Sequence, residues 1–180
     1  MDLRETLNRL LPIDEIPLLS GEDIVERIAS HMYEGEFLSV RENLEIIPEL
    51  LKDIILIIDF DTELTMNGIV GFLENSSGIY FSETLDAFKR IELFQDLEVL
   101  NRIKSILLEN GVMLETLREH VNNLTEYQVA SFFEIHGNDL SSVFHSIENE
   151  ADQLYLYRND DIFKQLFHYV EANKEKLITT

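Results

Sequence analysis

The chain has 180 residues and a mass of 21.0 kDa, room for a single domain with at most a short helical extension. Its 14 Lys+Arg against 35 Asp+Glu give a net charge of −21, so phosphate backbones and anionic lipid repel it, and direct nucleic-acid or membrane binding is not expected. The absence of cysteine removes disulfides, thiol nucleophiles and Cys-ligated metals, and 3 Pro with 7 Gly are too few for an all-β chain of tight turns.

Taken in chain order, the pattern is helical nearly throughout. Met1-Asp2-Leu3-Arg4-Glu5 lacks the basic and apolar stretches of a leader. Residues 1–19 read as a helical extension, bounded near Pro12 to Pro17. Ser20-Gly21-Glu22-Asp23 is a helix start ahead of the stripe Ile24, Val25, Ile28 and Met32. Ser39-Val40-Arg41-Glu42 has the form of a capping box. Leu44, Ile47, Leu51, Ile54, Ile55 and Ile58 follow as an apolar face, with Pro48 either kinking one helix or opening a second. The longest aliphatic run, Ile54 to Ile58, is far shorter than the ~20 residues of a membrane span, so a cytoplasmic protein is expected.

Asn67 to Asn75 reads as a short helix, Ser76-Ser77-Gly78 as a break, and Ser82-Glu83-Thr84-Leu85 as a new start. Leu97, Leu100, Ile103, Ile106 and Leu107 form the next stripe, closed by Gly111. Thr125-Glu126-Tyr127-Gln128 is another capping box, with its helix stopping near Gly137. Ser141 or Ser142 opens a helix through Ile147. Asn159-Asp160-Asp161 starts the last helix, which ends in Lys174 and Lys176, acid and base placed to complement the helix dipole. The expected fold is all-α, one domain over residues 1–180 with about eight to ten helices.

Catalytic and metal signatures fail one by one. Five histidines give no pair at zincin spacing, and His145 with Glu148, or His168 with Glu171, read as surface neighbours one turn apart. Asp59-x-Asp61-x-Glu63 imitates a calcium loop, but its sixth and twelfth positions are Leu64 and Val70 instead of Gly and an acid. No phosphate-binding glycine loop or nucleophile elbow occurs. The expectation is a non-enzymatic protein without metal or organic cofactor.

The acids themselves are the candidate site. Glu42 to Glu74 carries eight acids and one base, and Ser105 to Tyr157 nine acids and one base. Glu42, Glu45, Glu49 and Asp53 share one face if the helix continues past Pro48. Glu115 with Glu119, and Glu148 with Asp152, are further same-face pairs. Rises of roughly 4.5 to 6 Å between such acids approach the ~3.4 Å charge spacing of a DNA strand. These eight residues are the expected partner-binding face, and the expected partner is a basic, DNA-binding protein. Phe132, Phe133, Phe144, Tyr155 and Tyr157 supply aromatic surface for a homodimer.

One stretch is more specific. Met66-Asn67-Gly68-Ile69-Val70-Gly71-Phe72-Leu73-Glu74-Asn75-Ser76-Ser77-Gly78-Ile79-Tyr80, followed by Glu83-Thr84-Leu85-Asp86-Ala87-Phe88, resembles the bacterial DMP-type (DNA-mimic protein-like) family of acidic helical proteins. Glu148 to Tyr155, Asp160-Asp161 and Leu166 to Lys176 extend the resemblance over about Ile54 to Ile178. Ile69 and Ile79 stand where that family's pattern has Gly and Asp. The resemblance implies an all-α fold and raises DNA mimicry as the function. Asn67, Gly68, Asn75, Ser76, Ser77 and Gly78 are expected to be architectural, supplying turns and backbone hydrogen bonds. The alternative functions are an immunity-type or regulatory inhibitor of a basic toxin or enzyme, and, from another class, a carboxylate-dependent hydrolase.

Overall fold

A computed structural model describes residues 3–41, 43–122, 135, 137 and 140–178. Among these there are ten α-helices and no strand, so the fold is all-α. None of the described helices is long and apolar enough to cross a membrane. The chain divides into two compact units, residues 1–58 with 161–180, and residues 59–160.

The first unit contains α1 (Leu3–Leu10), α2 (Gly21–His31), α3 (Leu38–Arg41), the opening of α4 (Glu49–Glu74) and α10 (Ile162–Asn173). Helix α2 starts as expected: the Asp23 amide donates to Ser20 Oγ at 3.1 Å, and the Ser20 amide to the Asp23 carboxylate at 2.9 Å. Its stripe of Ile24, Val25, Ile28 and Met32 is buried, and α10, which buries Ile162, Leu166 and Val170, packs against it. Gly21 is obligatory, because a Cβ there would collide with the Phe167 carbonyl oxygen and lie 2.7 Å from the Glu171 nitrogen. The Glu171 carboxylate accepts the Gly21 N–H at 2.7 Å, while Lys174 donates to Glu171 at 2.8 Å and to the Leu19 carbonyl at 2.7 Å. Helix α1 packs on α2 and α3 and buries Thr6 and Leu10.

One local expectation changes and one open alternative is decided. Ser39 does not open a long helix: it lies inside the single turn α3, and its carbonyl accepts from the Asn43 side chain at 2.7 Å. Pro48 does open a helix, since α4 begins at Glu49 and the Lys52 amide donates to the Pro48 carbonyl at 2.9 Å. From Asp53 to Phe60 every residue of α4 is buried.

The second unit holds the rest of α4, a 3₁₀ helix (Ser76–Tyr80), α5 (Phe81–Arg90), α6 (Phe94–Glu109), α7 (Leu114–Asn122), α8 (Ser141–Ala151) and α9 (Tyr155–Arg158). Phe60 is its aromatic centre, edge-on to Phe72 at 4.8 Å and to Phe88 at 5.2 Å. Helix α6 packs on α5 and α8. It ends at Gly111 (φ 65°), where the Val112 amide reaches back to the Leu107 carbonyl at 2.9 Å. Helix α5 ends the same way on Glu92 (φ 64°), a residue with a side chain in the left-handed region. The capping box at Thr125, Phe132, Phe133 and Glu42 lie outside the described residues.

Candidate functional site

The first of the expected acidic faces does not form. Because α4 starts at Glu49, Glu45 sits in the turn before it and shares no helix with Asp53. Asp53 has 0% exposure and accepts the Tyr169 hydroxyl at 2.8 Å, so it is a core group and presents no charge to a partner. Glu49 is exposed but already engaged by its surroundings.

The later pairs do stand at the surface. Glu115 and Glu119 are exposed one turn apart on α7. Glu148 is exposed on α8, and Asp152 is exposed at its C-terminal cap. Among the described residues, no side-chain hydrogen bond or ion pair engages Glu45, Glu115, Glu119, Glu148 or Asp152. Two of the second unit's few bases are committed to other acids. Arg102 donates to Glu150 at 2.7 Å and to Gln153 at 3.1 Å. Arg158 reaches both oxygens of Asp96 at 3.3 Å, Asp160 at 2.8 Å, and the Gln153 carbonyl. Among the described residues these four exposed acids are therefore held by no ion pair, while Glu150, Asp96 and Asp160 are ion-paired within the unit.

Three acids have structural roles that their spacing did not announce. Asp96 is buried in the first turn of α6 and accepts the Tyr155 N–H at 2.7 Å. Asp61 accepts the Tyr155 hydroxyl at 2.7 Å, and burial together with the nearby Asp61 pushes that phenol far above its ordinary range. Asp59, first residue of the imitation calcium loop, is buried within α4. A comparable signal was open only at Asp53, an acid directly ahead of the aliphatic run Ile54 to Ile58.

The Asn-Gly to Ser-Gly motif makes local contacts around a break in α4. Gly68 interrupts α4 with φ 69° and ψ −177°, a backbone state open only to glycine. Asn67 and Asn75 both donate to one oxygen of Glu63, at 2.9 and 2.5 Å, tying the helix on either side of the break. Gly78 lies so close to the end of α4 that a Cβ would stand 2.5 Å from the Phe72 and Leu73 carbonyl oxygens. Ser77 is buried and Ser76 exposed within the 3₁₀ helix.

A family model described as DMP19-like protein matches residues 45–173. The chain belongs to the DMP19-like family. That match covers the motif, α7, α8 and all of α10, and leaves α1 to α3 outside it. No curated protein and no solved structure matches this DMP19-like protein. Among its described residues, no group of three or more His, Asp or Glu is arranged to hold a metal ion. Of the aromatics expected to form a dimer surface, Phe144 and Tyr155 are core residues at 3% exposure each, and Tyr157 is half-exposed at 51%. Burial of the first two against their own unit takes them out of any interface.

Proposed function

We propose that this DMP19-like protein is a non-enzymatic acidic interaction protein that occupies the basic DNA-binding surface of a partner. The observation that supports the reading is the set of exposed carboxylates, Glu115, Glu119, Glu148 and Asp152, in no ion pair among the described residues while Arg102 and Arg158 hold other acids. A surface evolved only for solubility would gain a few tenths of a kcal/mol by placing Lys at one position of each such pair. Carboxylates at this spacing fill Lys and Arg sites that otherwise hold phosphates, so the mechanism is competition for one surface.

The test is capture of the partner from the native host, followed by competition. DNA and this protein should exclude one another, and affinity should fall as salt rises. The double reversal Glu115→Lys with Glu119→Lys should weaken binding by about 2 kcal/mol or more, while circular dichroism stays unchanged. Glu45→Lys with Glu49→Lys measures the first unit's share. A partner that binds DNA and this protein together, or one indifferent to the α7 reversal, overturns the reading.

A further inference from the structure

We infer that the 3₁₀ helix Ser76–Tyr80 is the seat of α7, and that Gly78 and Leu117 are the positioning residues that fix where Glu115 and Glu119 point. The inference rests on the proposed function for its meaning, but its geometry stands alone. Helix α7 packs against the 3₁₀ helix. Leu117, midway between the two acids, is buried at 1% exposure. At 3.6 residues per turn, Glu115 and Glu119 each lie about 160° around the helix from Leu117. Anchoring Leu117 inward therefore turns both carboxylates outward, where both are exposed.

The seat is itself rigidly placed. The Gly78 N–H donates to the Asn75 carbonyl at 3.0 Å, and the Asn75 side chain is held by Glu63. The close approach of Gly78 to the Phe72 and Leu73 carbonyls leaves no space for a side chain, so the turn sits directly on the end of α4. Tyr80 continues the same chain into α5, its carbonyl accepting the Thr84 hydroxyl at 2.9 Å. A motif without chemistry of its own thus acquires a role: it transmits the position of the buried α4 to an acidic surface helix.

The 180-residue chain contains no cysteine, so spin labels can be placed in it at chosen sites. One pair, Asp86→Cys with Glu119→Cys, reports α7 against α5. A second, Glu98→Cys with Glu148→Cys, reports α6 against α8. Gly78→Ala should shift and broaden the first distance distribution and leave the second unchanged. Leu117→Ala should do the same, which decides the matter if Gly78→Ala folds poorly. An unchanged 86–119 distribution in Leu117→Ala, or equal broadening of both pairs, overturns the seat. No partner enters these measurements. The seat can therefore fail while mimicry stands, and indifference of a partner to the Glu115/Glu119 reversal can overturn mimicry while the seat stands.

Discussion

The two units of this protein use carboxylates differently. The first has 16 Asp+Glu and 8 Lys+Arg, a net of −8, and the second has 19 and 6, a net of −13. In the first, acids close the structure: Asp23 accepts the Ser20 N–H at the start of α2, Glu171 holds the Gly21 amide, Asp53 takes the Tyr169 hydroxyl and Glu15 pairs with Arg27. In the second, the acids are sorted. Asp61, Asp96, Glu150 and Asp160 are bound internally, and Glu115, Glu119, Glu148 and Asp152 are left to solvent. The lesson is that net charge says little until each acid is assigned a partner, because a capped or buried carboxylate offers nothing to a basic surface.

The largest effect expected from this contrast is at Asp96. Asp96→Ala strands the Tyr155 N–H and takes from Arg158 one of its two carboxylates, and should cost about 3 kcal/mol in chemical unfolding. By contrast, Glu148→Ala, on the exposed side of the same unit, should stay within ~0.5 kcal/mol. Equal costs would erase the distinction between bound and free acids.

In the first unit, Gly21→Ala should cost about 2 kcal/mol, since the added carbon meets backbone rather than a movable side chain. Gly35→Ala is the control, with nothing within 4 Å of its added carbon.

The acid dependence is smaller. Lys174, and then the Gly21 N–H, hold the Glu171 carboxyl below its ordinary 4.5, and hydrogen bonds from Ser20 hold Asp23 below 3.8. Groups depressed on folding contribute stability above their unfolded values and lose it as pH falls through the folded ones. Lys174→Gln should therefore be less stable than the wild type at neutral pH, and the gap should narrow as pH drops below 4.5. A gap that is constant down to strong acid would show that Lys174 acts only through the Leu19 carbonyl.

The smallest effect compares two helix ends in the second unit. Gly111 and Glu92 occupy the same left-handed position, but only Gly111 does so freely. Glu92→Gly should stabilise by about 0.5–1 kcal/mol in thermal melts, and Gly111→Ala should destabilise by about 1 kcal/mol.

Local chemistry made much of the fold legible. Ser20 with Asp23, Gly111, and Asp161, whose carboxylate accepts the Phe163 N–H at 3.0 Å, all terminate helices through neighbours within a few residues. The pairs on α7 and α8 were legible for the same reason, since i, i+4 spacing is a property of one helix. What failed needed distant partners. Asp53 joined the acidic face on spacing, but its fate is set by Tyr169, 116 residues later. Asp96 carried no signal at all, because Tyr155 and Arg158 reach it from 59 and 62 residues away. Ser39 matched a capping box, yet the turn around it ends at Arg41.

The all-round burial of α4 from Asp53 to Phe60 has a consequence for how the gene can vary. An amphipathic helix has a permissive side, so a substitution map along it rises and falls every three or four positions. This stretch has no such side. A complete substitution scan across these eight positions should give an unbroken intolerant window, with polar residues rejected at every step and Asp53 accepting only what can still receive the Tyr169 hydroxyl. Drift in this protein is then channelled to helices that keep a permissive side, such as α7 and α8, where Glu115, Glu119 and Glu148 are exposed and can change without touching the interior.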